Sequence, residues 1–313
     1  MEHTFNDGKW CWHELGQFDP GKDESFMKDY KSYDQWAEAT KKNQTNTLQE
    51  DTDEKGKEAL WGSLVYVQDA EEKDNKRVFH FFVTRQCLIT DNLDVSMLEG
   101  VSLESIKRKM DEADNSVEGF MVMLGEIVIH FLGKIDAFEV KMRNVLWKIK
   151  EKNNVDLLDD IIKSRHQLLI WKNLLIPVQE IKYGVEEVFG KDAAEGIHFN
   201  RAVRRLERIQ MLVNEYEKEL GAVVELENTV SAHRGNEIMK TLTVLTTLFT
   251  PVASWGAIWG MNFEIMPELK WKFGYLFSWG VIGITTLALY WYLKKKGWMG
   301  DILRGKKRNS FFK

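Results

Sequence analysis

One line along a single apolar segment is where residue type and spacing in the second half of this sequence point to chemistry. Steps of three and four residues from Asn236 give Asn236, Met239, Leu242, Thr246, Thr250, Ala253 and Ala257. Such steps keep side chains on one side of a helix. The line begins polar, turns apolar, and then carries hydroxyls and small residues. Thr241, Thr243, Thr247 and Ser254 interrupt the rest of the run, and Pro251 lies inside it. Polar residues in an otherwise apolar span face a bundle interior or a water-filled path. Hydroxyls there also bond their own i−4 carbonyls or a neighbouring helix, which makes them packing residues. Periodicity alone serves both readings, a pore and a helix–helix seam.

No other constellation carries chemistry, so no enzyme is expected. There is no P-loop, no Gly-x-Ser-x-Gly and no cluster of metal-ligand spacing. His166, His198 and His233 are dispersed, and Trp10-Cys11-Trp12-His13 reads as an aromatic packing cluster. The 2 Cys, Cys11 and Cys87, lie far apart in the chain. At that distance they imply neither a disulfide framework nor a Cys-based zinc site, and they fit a reducing compartment. A net charge of −5 argues against a general nucleic-acid binder.

The elements that must hold the line follow from charge and hydropathy. Ile238–Ile258 carries one charge, Lys240, and Phe273–Leu293 carries none; each stretch is 21 residues. About 20 helical residues cross the hydrocarbon core, so two membrane spans are expected. The loop 259–272 balances Glu264 and Glu268 against Lys270 and Lys272. The tail 294–313 has eight basic residues against Asp301, a net +7. Positive residues stay inside, so the tail is expected to be cytoplasmic, and two spans return the N-terminal region to the same side. Subtracting +7 and the +1 of Lys240 from −5 leaves −13 on residues 1–237. Trp255, Trp259 and Trp271 flank the short loop, and Trp291 and Trp298 flank the other end of the second span, where indoles favour the membrane interfaces.

Residues 1–60 are polar, and 41–57 reads as loop or weak helix. Leu64–Val67 and Val78–Thr90 are rich in β-branched and aromatic residues and read as paired strands, with a turn at Glu71–Lys76. From Ser102 onward the pattern is helical. One long helix covers 117–151 and a second covers 155–188, with Asn153-Asn154 as a turn and Pro177 as a kink or break. A third begins near Ile197 and runs on into the first span. At 1.5 Å per residue it would be on the order of 90 Å long and would need lateral partners. That suggests an oligomeric stalk.

The first span ends in Gly260-Met261-Asn262, followed by Phe263-Glu264-Ile265-Met266-Pro267-Glu268-Leu269. This run resembles the CorA-type magnesium transporter family, whose signature is Gly-Met-Asn at the end of the first of two C-terminal spans. Asn236-Glu237-Ile238-Met239-Lys240 and Lys294-Lys295-Lys296-Gly297-Trp298 are similar to the family's span entry and basic ending. The close match covers about 236–298, and a looser one covers the preceding helices.

The resemblance implies an α+β cytosolic domain whose long helical stalk continues into a two-span C-terminal region, assembled as a homopentameric funnel in the lipid bilayer of the plasma (inner) membrane. Its parts would be a cytosolic domain at 1–195, the stalk and first span at 196–258, an outer loop at 259–272, the second span at 273–293 and a basic tail at 294–313. The first spans would line a central pore and the second would form an outer ring. Asn262 would present side-chain oxygens to hydrated Mg²⁺ at the outer mouth, with Glu264 and Glu268 concentrating cations. Met239 and Leu242, next to Asn236, would make an inner hydrophobic gate, and Glu225 an acidic ring at the inner mouth. Mg²⁺ would be both cargo, moving inward, and regulator, bound between acidic cytosolic domains. The chain departs from the family at Thr250 and Ala253, where Met and Thr are frequent, and at Arg201, where an Asp can occur. The alternatives are the same fold carrying Zn²⁺, Co²⁺ or Ni²⁺, and a non-conducting membrane sensor or scaffold.

Overall fold

A computed structural model describes residues 1–16, 30–70, 75–151, 155–190, 193 and 196–299. It separates into two compact units, one of residues 1–148 with 154–222, the other of 149–153 with 223–313. The expected Asn153-Asn154 turn, most of the Glu71–Lys76 turn and the tail beyond Met299 lie outside the described residues.

The described residues of the first unit hold six strands: β1 (Glu2–Phe5), β2 (Trp10–Leu15), β3 (Thr47–Asp51), β4 (Ala59–Gln68), β5 (Lys76–Val83) and β6 (Cys87–Asp91). Their order is β1-β2-β6-β5-β4-β3. Every neighbouring pair is antiparallel except β2 and β6, which run parallel. Helix α1 (Lys31–Thr40) covers one face through Trp36, which packs with Ala59, Trp61, Phe82, Cys87 and Ile89. Alternation along the strands sends the next residues to the opposite face. There Phe81 meets Phe120 at 4.9 Å between ring centroids. Gly62 permits the close pairing of β3 with β4, since a Cβ there would clash with the Thr47 carbonyl oxygen.

After the short α2 (Leu103–Met110) come α3 (Ser116–Glu151) and α4 (Val155–Phe189), then α5 (Ile197–Trp259). Helix α4 continues through Pro177 rather than ending there. Two buried carboxylates tie α3 to its surroundings. Glu126 receives Lys109 Nζ at 2.6 Å and also pairs with Arg205. Glu118 accepts the backbone N–H of His198 at 3.0 Å and of Phe199 at 3.4 Å. It thereby satisfies donors that the first turn of α5 leaves open, and places negative charge at the positive end of that helix.

The second unit contains the later part of α5, a 3₁₀ turn at Pro267–Lys270 and α6 (Gly274–Lys295). Val244 of α5 packs with Leu293 and Met299, supported by Leu248 and Tyr290.

Three expectations change. The polar N-terminal stretch forms β1 and β2, and the supposed loop at 41–57 contains β3. Residues 78–90 are two strands joined by a turn, since Thr84 bonds back to Cys87. Finally, sequence distance did not keep the cysteines apart, because the parallel pairing sets Cys11 opposite Cys87.

Candidate functional site

Among the described residues, three helices are long and apolar enough to cross a membrane: the Ser116–Lys148 part of α3, then α5 and α6. The most apolar window of α3 is 83% buried within the protein, against 11% for α5 and 6% for α6. Helix α3 is therefore core. The apolar surfaces of α5 and α6 need a cover from outside the chain, of the kind a membrane gives.

Within the second unit, α5 has two distinct sides. Val244 and Pro251 are buried, with Lys240, Thr247, Leu248, Trp255 and Trp259 half-buried. These positions recur every three to four residues and form the side against α6. The sequence-predicted line falls on the opposite side. Asn236, Met239, Leu242, Thr246, Thr250, Ala253 and Ala257 are all exposed. Met239 and Leu242 keep 62% and 53% of their surface open, unusual for apolar side chains that a protomer has the chance to bury.

The exposed threonines on this helix are arranged in one way. Thr246 Oγ1 donates to the Leu242 carbonyl at 2.9 Å and Thr250 Oγ1 to that of Thr246 at 2.8 Å. Thr241 and Thr243 donate likewise to Glu237 and Met239. Each hydroxyl hydrogen is thus used within the helix, and each oxygen turns lone pairs outward. An outward acceptor suits the waters of a hydrated cation, as it suits a donor on another helix. Pro251 removes the N–H that would bond the Thr247 carbonyl, on the side facing α6.

Helix α5 ends at Trp259, whose ring stacks on Trp255 at 5.3 Å. The Gly260 N–H bonds the Gly256 carbonyl at 3.0 Å, and the Met261 N–H bonds that of Ile258 at 3.3 Å. A Cβ at Gly260 would stand 3.0 Å from the Gly256 oxygen, so glycine suits this tight exit. Met261, Asn262, Phe263 and Glu264 then project as an exposed run. Pro267 opens the 3₁₀ turn, where its missing N–H costs nothing. The side chain of Glu268 lies outside the described residues. Trp271 packs edge-on against Phe277 at 5.7 Å, fastening the loop to the first turns of α6. Glu225 is exposed on α5, as is Arg201. Sequence reasoning left Leu248 and Trp255, with Leu245, Phe249 and Val252, to lipid or the second span; it did not pick out Val244 and Pro251, whose spacing with Leu248 and Trp255 marks the α6-facing side.

The family profile described as "CorA-like Mg2+ transporter protein" matches residues 7–295. The Magnesium transport protein CorA of Bacillus subtilis is 39% identical over 312 residues, covering 98% of this chain and 96% of that protein. The chain belongs to the CorA family. It is accordingly an ion transporter of the membrane and not an enzyme, and the family supports Mg²⁺ as the transported ion. The complete CorA structure from Methanocaldococcus jannaschii shares the fold, with a TM-score of 0.63 at 16% identity over 95% of this chain and 93% of that one. The Cobalt/magnesium transport protein CorA of Thermotoga maritima is 44% identical over 68 residues, 22% of this chain and 19% of that protein. The CorA fold combines the α/β domain, the long helices and the apolar C-terminal helices described above.

Proposed function

We propose that the chain forms a homopentameric channel that takes up Mg²⁺ down its electrochemical gradient, with α5 lining the pore and α6 forming the outer ring. One observation carries this reading: the line from Asn236 to Ala257 is exposed on the side of α5 away from α6. If α6 lies outward, towards lipid, that line faces the symmetry axis. Asn262 then forms a ring of amides at the outer mouth. Mg²⁺ dehydrates reluctantly, so neutral oxygens that bond its water shell pass it without trapping it. Thr246 and Thr250 continue that set of acceptors inward. Met239 and Leu242 form the hydrophobic constriction beside Asn236, and Glu225 an acidic ring below it. Glu264 and Glu268 draw cations to the outer loop, Mg²⁺ bound between acidic cytosolic domains holds the pore shut, and both termini are cytoplasmic. The −13 charge of residues 1–237 supports the regulatory site, and the +7 of the tail supports the cytoplasmic termini.

Asn262→Ala should abolish Mg²⁺ uptake in a magnesium-starved, transport-deficient cell while leaving the assembled particle intact on size exclusion. Normal uptake by that variant would sink the proposal. Flux in reconstituted liposomes separates the channel from a non-conducting sensor, which would show none. The cobalt/magnesium name of the Thermotoga relative favours Co²⁺ as a second cargo. Competition of Mg²⁺ uptake by Co²⁺, Zn²⁺ and Ni²⁺ ranks them.

A further inference from the structure

The channel reading leaves one reactive cluster unused, and it lies in the α/β domain. Strands β2 and β6 run side by side in register, with Cys11 opposite Cys87. Both residues carry thiols, and their sulfurs are 2.7 Å apart. Neighbouring strands stand about 4.8 Å apart, inside the roughly 4.4–6.8 Å Cα separation that a disulfide bridges. An S–S bond is about 2.05 Å, so the sulfurs need approach by only about 0.7 Å. His13, two residues along β2 on the same face, places a ring nitrogen within 4.8 Å of both sulfurs.

We infer that Cys11 and Cys87 form a reversible dithiol–disulfide pair that fastens β2 to β6, exchanging with small-molecule disulfides of the glutathione class. The two residues divide the work by exposure. Cys11 is partly exposed and Cys87 is buried. The Cys87 thiol beside it, followed by His13, draws the Cys11 thiol down to about 5 against the opposing effects of burial and Glu2. The thiolate is the attacking species in exchange. Cys11 attacks one sulfur of the small disulfide, breaks its S–S bond and expels one thiolate, leaving a mixed disulfide on Cys11. Cys87 then attacks the Cys11 sulfur, expels the second thiolate and passes its proton to it. The two cysteines lose two electrons, and the small disulfide becomes two thiols.

The position gives the bond a structural consequence. The β2–β6 ladder is the parallel seam through which β1 and β2 join the other strands. A covalent link there closes a loop of some 75 residues, and long loops gain most from closure. A shared metal ion fits the cluster less well. Two thiolates on one tetrahedral zinc, each at about 2.3 Å, stand about 3.8 Å apart, so zinc would have to push these sulfurs away from each other.

The test takes the full-length protein in detergent, equilibrates it with glutathione buffers of rising oxidised fraction, alkylates it with N-ethylmaleimide and weighs the intact chain. Because the sequence contains 2 Cys, every intrachain bond is this one. The expected result is a fall from two alkylated thiols to none, with loss of two hydrogens, no glutathione retained and full return on reduction. Cys87→Ser should stop at one glutathione on Cys11, whereas Cys11→Ser should keep Cys87 unmodified while folded. Should either variant fail to fold, the wild-type masses alone decide. Two thiols that stay alkylatable, a lasting glutathione adduct on the wild type, or disulfide-linked dimers on a non-reducing gel would each overturn the proposal. So would one equivalent of zinc that survives dialysis and protects both thiols from alkylation and exchange.

Discussion

Helices α3 and α6 are nearly equal in the property by which spans are recognised and opposite in their surroundings. Their most apolar windows have mean hydropathies of 1.5 and 1.4, yet one is 83% buried in the protein and the other 6%. The difference lies in the polar residues each one tolerates. Helix α3 carries Glu118, Glu126 and His130, all buried and all with hydrogen-bond partners on other segments. Helix α6 has no charge before Lys294; two of its hydroxyls bond within the helix, Ser278 to Gly274 and Thr285 to Val281, and that of Thr286 bonds to no other segment. Apolar character says that a helix leaves water. Whether it leaves for a protein core or for lipid depends on whether its polar atoms find partners on other segments or only on their own backbone.

Single substitutions break this contrast. The largest effect is expected from Phe120→Ala in α3, where a fully buried ring packs on Phe81. Emptying that space should destabilise the α/β domain by about 3–5 kcal/mol, read as a lower denaturation midpoint of the full-length protein in detergent. Next comes Ile284→Arg, near the middle of α6 and 70% exposed. A cation at the centre of a lipid-facing helix costs about 3 kcal/mol of insertion, so the fraction resisting alkaline extraction from membranes should fall sharply. Unchanged insertion would mean that α6 does not face lipid.

Glu126→Leu should be milder. It leaves Lys109 and Arg205 without their shared carboxylate, but both keep about a third of their surface in solvent. A loss of about 2 kcal/mol is expected, again from the denaturation midpoint. The smallest effect belongs to Leu276→Ala in α6. Leu276 is 71% exposed, and its removal should change domain stability by less than about 0.5 kcal/mol. If Leu276→Ala and Phe120→Ala proved equally damaging, the division into core helix and lipid helix would fail.

What the sequence made legible follows the same physics. The spans stood out because Phe273–Leu293 is free of charge and a run of that length has few other uses. The line from Asn236 to Ala257 was legible because a 3.6-residue period is local, needing no knowledge of partners. Strands β1, β2 and β3 were not. They are four to six residues long, and β2 exists by pairing with β6, far along the chain. Their residues alternate only weakly in polarity, as in Thr47-Leu48-Gln49-Glu50-Asp51. The meeting of Cys11 with Cys87 was hidden for the same reason, since register between distant strands is written in no short window. Sequence spacing likewise offered pore and seam as equal readings for the threonines. The structure places Thr246 and Thr250 exposed and away from α6, which is the placement the proposed pore uses.

The inward-bonded threonines of α5 bear on how the protein is made. In the proposed assembly, a newly synthesised chain enters the membrane before it meets its sister subunits. A hydroxyl hydrogen waiting for an intersubunit partner would strand a donor in hydrocarbon at that stage. Thr241, Thr243, Thr246 and Thr250 already have their hydrogens engaged with carbonyls one turn back. On the proposed assembly, the single chain can therefore be released into lipid with these four hydrogens satisfied, and the joining of subunits becomes a separate, later event.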